Sequence, residues 1–300
     1  VWDNYPYPKF NIPKYKSNDV IVSISKLTND IIKTLTPKIK SHYLPHTVDT
    51  EIFRPLPKRD LYKFLEFNDI DYKKKKIFFW NNRNARRKQT GSLVWWFKEF
   101  LDEVGHDKAM LIMHTDPQDP HGPNLVTNLE DLGLTDGQIF ISNKKLPEHV
   151  LATFYNMADC TINIADAEGF GLSSLESLAC GTPIISTLTG GLQDQIFDGE
   201  NWFGIGIEPV TTAVIGSQDV PYIFEDRISA ADFKKACKKI LFMSREELDN
   251  WGDLGRQSVL DRFSTKQYTE GWLKIIEETC QEQGSWKTRK NYKNWELLEI

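Results

Sequence analysis

The sequence predicts an α/β protein: a Rossmann-like parallel sheet flanked by helices. Three observations predict it. Strand-length apolar runs alternate with helix-length amphipathic segments, the pattern of parallel strands covered by helices. A glycine-containing loop, Glu168 to Gly171, joins one such run directly to a helix, where open parallel sheets bind ligands. The 300 residues are 40% hydrophobic and 12% aromatic, enough to bury a sizeable core.

The elements follow in order. Residues 1–18 are rich in Pro and aromatics and read as an irregular arm or loop, with Pro13 unsuited to a central strand. Asp19 to Ser25 reads as a strand and Lys26 to Leu35 as a helix. Lys73 to Lys76 make a solvated turn before a second strand, Ile77 to Trp80, which leads into a helix from Gln89 to Val104. Further strands are expected at Ala109 to Met113, Gln138 to Ile141, Cys160 to Ile164 and Pro183 to Ser186. A helix with Pro147 in its first turn presents Val150, Leu151, Phe154 and Tyr155 at helical spacing, and another runs from Leu172 to Cys180. Glu208 to Ser229 reads as a surface loop. Ser229, Ser244 and Ser264 are each followed three residues on by Asp232, Glu247 and Gln267, so three consecutive capped helices are expected.

Composition excludes several functions. Thirty-seven basic against 42 acidic residues give a net charge of −5, which excludes general binding of nucleic acid by phosphate neutralisation. No apolar run reaches the length of a membrane span. Cys160, Cys180, Cys237 and Cys280 are far apart with no C-x-x-C pair, which suggests buried thiols in a reducing, cytoplasmic compartment. The chain opens on Val1 with no secretory leader pattern, as a processed or partial chain would. Eight of the 37 basic residues fall between Lys73 and Lys88 with no acid among them, so any anion site is local.

The chemistry concentrates in two stretches, each following a predicted strand. Glu168 to Pro183 reads E-G-F-G-L-S-S-L-E-S-L-A-C-G-T-P. Its glycines permit close backbone approach, and the next helix offers free amides and a positive dipole end to an anion. Helical side chains lean toward the N-terminus, so Glu176 reaches toward the ligand that Glu168 meets, and two carboxylates can accept hydroxyl hydrogen bonds from a sugar. The second stretch, Asn81 to Gly91, reads N-N-R-N-A-R-R-K-Q-T-G. It carries four cations, Arg83, Arg86, Arg87 and Lys88, at a strand's carboxyl end.

These residues resemble the retaining glycosyltransferases of the GT-B fold (glycosyl transferases group 1), whose donor-binding domain carries E-x-F-G-x-x-x-x-E followed by A-x-G-x-P. The resemblance implies that Glu168, Gly169, Phe170, Gly171, Leu172 and Ser173 hold the donor sugar and its phosphate, that Glu176 binds the ribose, and that Arg83 and Lys88 neutralise the departing diphosphate. The Arg–Lys stretch departs at two positions: Asn82 where the family commonly has Gly before the Arg, and Gln89 where it has Gly after the Lys. P-H-T-V-D at Pro45 to Asp49, with Phe53 and Pro55, resembles the interdomain segment, and Gly190-Gly191 the family's Gly pair, with Asp194 for the usual Glu.

The implied organisation is a remnant of the acceptor-side domain at 1–45, a donor-binding domain at 46–263, and a C-terminal helix and tail at 264–300 packing back on the N-terminal part. The implied activity is hexosyl transfer from a UDP- or GDP-linked sugar, with retention, to a glycan, lipid or protein, without cofactor or metal. A second chain could complete the acceptor domain, and the alternative is a nucleotide-sugar binding module without turnover. Two other ligand-like patterns carry less. Asp69-Ile70-Asp71 precedes its strand, at the wrong end of the sheet for chemistry. His114, Asp116, Asp119 and His121 sit among Pro117, Pro120 and Pro123 and read as a rigid loop with turn-forming Asp.

Overall fold

The computed structural model describes residues 4, 9–57, 61–67, 71–285 and 287–290. Six parallel strands form the central sheet: β3 (Lys76–Asn81), β4 (Ala109–His114), β5 (Ile139–Ser142), β6 (Cys160–Asn163), β7 (Ile184–Thr187) and β8 (Gly204–Ile207). They lie in the order β5-β4-β3-β6-β7-β8. The α/β prediction stands.

The chain winds outward from β3 to β5 and returns to place β6 beside β3. That reversal opens a crevice at the carboxyl ends of β3 and β6, where an open sheet accepts ligands. Both chemistry-bearing stretches follow these two strands. Packing explains why β3 is the centre: Ile77, Phe78, Phe79 and Trp80 are all buried. With side chains alternating across the sheet, Phe78 packs edge-on against Phe97 and Phe100 on one face, and Phe79 against Tyr155 on the other.

A short helix, α3 (Lys63–Phe67), precedes β3, and the covering helices are α4 (Thr90–Val104), α5 (Leu125–Asp131), α6 (Glu148–Met157), α7 (Leu172–Ala179), α8 (Leu192–Ile196) and α9 (Ala230–Phe242). The chain ends in α10 (Arg245–Arg262) and α11 (Thr265–Gln283). Ser244 and Ser264 form full capping boxes with Glu247 and Gln267, whereas Ser229 caps through the Asp232 amide. Pro147 is the residue before α6 rather than part of its first turn.

Several elements differ from expectation. The first described residues are ordered, as a 3-10 turn at Lys9–Asn11 and α1 (Ile12–Lys16), with Pro13 where a helix tolerates it. Strand β1 (Val20–Ser23), α2 (Lys26–Leu35) and an unexpected strand β2 (Lys40–Tyr43) make a separate β-α-β unit with β1 and β2 parallel. Residues 208–229 are no bland loop. They form an antiparallel hairpin, β9 (Thr211–Ile215) with β10 (Ile223–Arg227). Asp69 and the final ten residues lie outside the described set. Three cysteines are buried, but Cys280 is exposed. Among the described residues no helix is long and apolar enough to cross a membrane.

Helix α11 meets the β-α-β unit through Lys40, which donates to Glu278 at 3.1 Å and Glu282 at 2.8 Å. On the other side of the unit, the buried Asp194 carboxylate of α8 accepts the amide of Lys26, the first residue of α2, at 2.8 Å.

Candidate active site

Glu168 and Lys88 meet at the crevice. The Lys88 ammonium donates to the Glu168 carboxylate, and both side chains are about nine-tenths buried. Burial lowers the Lys88 pKa, and the Glu168 charge opposes that shift. Arg87 adds a contact to Glu168 at 3.4 Å and donates to the Ala167 carbonyl at 2.9 Å.

The loop that carries Glu168 is held by glycine. Gly171 has φ +93°, and a Cβ there would sit 2.5 Å from Leu192. Gly190, at φ +49°, lies so close to Glu168 that a Cβ would fall 1.9 Å from its carbonyl oxygen, and the next amide, Gly191, donates to that carbonyl at 3.0 Å. Only glycine fits either position. Gly171 also precedes α7, which among the described residues no side chain caps. The amides of Leu172 and Ser173 thus open the helix toward an anion. Phe170 is buried and packs edge-on against the His46 ring at 5.2 Å, where burial lowers the imidazole pKa.

Glu176, in the second turn of α7, is not paired with Glu168. It accepts from the Tyr155 hydroxyl at 2.5 Å, and that oxygen accepts from Asn81, the last residue of β3, at 2.8 Å. Burial raises the Glu176 pKa, opposed by the Tyr155 hydrogen bond. The carboxylate is thereby fixed at the end of β3 with acceptor capacity to spare.

Arg83 and Lys88 are engaged separately. The Arg83 side chain is 58% exposed and donates through Nε to Asp119 at 2.6 Å and through Nη2 to Asp119 and His121. Those hydrogen bonds, with Arg83 foremost, hold the Asp119 carboxyl well below the usual range. Among the described residues nothing bonds Nη1, which can meet a further acceptor. The loop expected to be a rigid turn is thus the seat of Arg83, and His114 instead bonds Ser142 at 3.1 Å. Among the described residues no three His, Cys, Asp or Glu side chains converge as a metal site.

Behind these groups lies a charged network that sequence reasoning missed. Arg86 makes a two-pronged contact with Glu225 of β10, both at 2.8 Å, and Arg227 pairs with Asp166 and with Glu225. Glu225 is fully buried. Asp166, pushed up to about 6 by burial, also accepts from Gln89 at 2.5 Å. Backbone bonds complete the brace: the Asp166 amide donates to Arg87 and the Asp226 amide to Asp166, each at 2.8 Å. Gln89 alone among described non-glycine residues has positive φ, 56°. The position is left-handed, and the hydrogen bond to Asp166 offsets the strain of a side chain there. One sequence signal pointed this way: an acid beside Glu168 and an Arg in the insertion.

The match to known families settles what kind of chain this is. Residues 66–240 match the model for glycosyl transferases group 1, more than half the chain. The chain belongs to that family. An N-acetyl-alpha-D-glucosaminyl L-malate synthase of Bacillus anthracis is 26% identical over 84% of the chain and 58% of its own length. A D-inositol 3-phosphate glycosyltransferase of Acidothermus cellulolyticus is 44% identical over 24% of the chain and 15% of its own length. Among solved structures, sucrose-phosphate synthase from Thermosynechococcus elongatus superposes with a TM-score of 0.72 at 18% identity, covering 92% of this chain and 63% of that one. Anabaena HepE in complex with UDP and glucose gives 0.70 at 11% identity, covering 91% and 68%. At those identities the two structures speak for a GT-B-like fold. The group 1 chain described here thus spans between about a sixth and two thirds of these relatives.

Proposed function

We propose that the chain is the donor-binding part of a retaining glycosyltransferase that moves a hexosyl group from a nucleoside-diphosphate sugar, UDP- or GDP-linked, to a glycan, lipid or protein acceptor. The observation that carries the reading is the buried Glu168–Lys88 pair at the open end of α7, with Glu176 fixed in the next turn. A diphosphate at the α7 amides meets Lys88 and the open Nη1 of Arg83, two cations placed where negative charge grows as the leaving group departs. Glu168 and the amides of Gly169 to Ser173 hold the sugar hydroxyls and phosphate, and Glu176 accepts the ribose hydroxyls. In the proposed step the bond from the anomeric carbon to the phosphate oxygen breaks, the acceptor oxygen bonds on the same face, and its proton passes to the departing phosphate. That step requires neither metal nor cofactor. Alanine at Glu176 or at Arg83 should weaken UDP or GDP binding strongly; unchanged affinity in both variants sinks the assignment.

A second reading, donor binding without turnover, rests on one observation: across the crevice the described residues supply a single β-α-β unit. Donor binding and donor hydrolysis measured separately on this chain discriminate the two.

A further inference from the structure

We propose that the opposite end of the sheet carries a docking site for anionic phospholipid headgroups at a membrane surface. A cavity of about 650 Å³ opens at the amino ends of β3 and β4, with Lys73 to Lys76, Lys108 and Arg245 in its walls. The two acids in those walls are already occupied. Asp159 takes Arg245 and the Ile77 amide, and Glu103 takes Lys234 and Lys238. Lys75 and Lys76 are held by neutral carbonyls, Gly137 at 3.3 Å and Met243 at 3.1 Å, contacts that fix the ammonium groups without cancelling their charge. Burial lowers the Lys76 pKa, Asp159 opposes that shift and Arg245 adds to it, while Lys108 is paired with Asp107 at 2.8 Å. On a chain of net charge −5, this surplus is a local feature.

The same cavity has an apolar side. Phe242, the last residue of α9, is 79% exposed beside Leu241, an unusual position for a phenylalanine. Cations spread along an exposed turn, with a bare aromatic next to them, suit a charged interface into which an apolar group can sink. A small soluble phosphate would be better met by converging donors such as an Arg fork, and here Arg245 is committed to Asp159. The site also stands clear of the donor crevice. Lys76 and Asn81 end the same six-residue strand, about 16 Å apart, so docking at one end leaves the other facing water.

The test is flotation of the full chain with phosphatidylcholine vesicles, with and without phosphatidylglycerol, at low and high salt. Association is expected only with the anionic vesicles, and high salt should release it. The triple variant Lys73→Gln, Lys74→Gln, Lys75→Gln should lower partitioning about a hundredfold, roughly fivefold per charge, with unchanged melting and unchanged stabilisation by UDP. Phe242→Ser alone should lower it several-fold, which keeps the test decisive if the triple variant melts early. Equal binding to neutral vesicles, no binding to anionic vesicles, or full binding by both variants overturns the proposal. So does calorimetric binding of inorganic pyrophosphate to these lysines without vesicle association, which would reassign the site to a soluble phosphate.

Discussion

Replacing Glu225 with alanine should loosen the loop that carries Arg83 and Lys88. Glu225 is fully buried and neutralises Arg86 through two hydrogen bonds of 2.8 Å, with a longer contact to Arg227 at 3.4 Å. Removing one partner of a buried pair costs about 3–5 kcal/mol, because the other charge is stranded. Here the Arg86 side chain is 52% exposed and can regain water, so the cost falls below that range, to about 2–3 kcal/mol. For a chain of this size that corresponds to a melting temperature lower by about 5–10 °C. Thermal unfolding with and without UDP is the assay. Adding Arg86→Met to the alanine variant removes the stranded cation and should recover part of the loss. A fall below about 2 °C, or no recovery in the double variant, would refute the view that the hairpin braces the loop of Arg83 and Lys88.

Four further outcomes are expected. Gly190→Ala places a methyl against the Glu168 carbonyl oxygen, where backbone cannot yield; we expect about 3 kcal/mol or more of destabilisation by denaturant unfolding and loss of UDP-induced stabilisation. Gln89→Gly removes a strained left-handed side chain along with its bond to Asp166, whereas Gln89→Ala loses the bond and keeps the strain, so the glycine variant should be the more stable by about 1 kcal/mol in chemical unfolding. Nucleotide affinity should fall on acidification at a higher pH than an ordinary glutamate would give, since in the proposed function Glu176 must be ionised to accept the ribose hydroxyls and burial raises its pKa; calorimetry on Glu176→Gln should show a weak, pH-flat signal. Asp166, folded at about 6 against 3.8 unfolded, binds protons more tightly in the native state, so its contribution is present below pH 4 and is lost as pH rises through 6; Asp166→Asn should flatten the stability profile across that window.

Much of this was legible in the sequence because the responsible physics is local. Ile77 to Trp80 is apolar enough to be central in a sheet, Ser244 and Ser264 announce their helices through side chains three residues apart, and Gly171 marks the turn where the Glu168 loop meets α7. What escaped depends on contacts across long separations. Strand β9 is half exposed and β8 alternates glycine with isoleucine, so neither shows an apolar run. Asp119 is the turn former the sequence suggested, accepting the His121 amide at 2.9 Å, but its pairing with Arg83, 36 residues away, was not legible. Glu225 sat in a stretch that looked like surface, and its burial follows only from the placement of Arg86 and Arg227. The resemblance to the glycosyltransferases marked Gln89 as a departure from glycine, and the structure supplies the reason it is tolerated: Asp166 waits to receive its amide.

Asp194 joins the two sides of the crevice mechanically. Its carboxylate grips the first amide of α2, its own carbonyl is held by Arg262 at 2.5 Å, and its helix starts at Gly191, whose amide is bonded to Glu168. The β-α-β unit therefore acts as the handle of a short lever whose other arm is the Glu168 loop. Swinging that unit must either stretch the Lys26–Asp194 bond or tug on Glu168, so the placement of the unit and the geometry of the Glu168 carboxylate are set together.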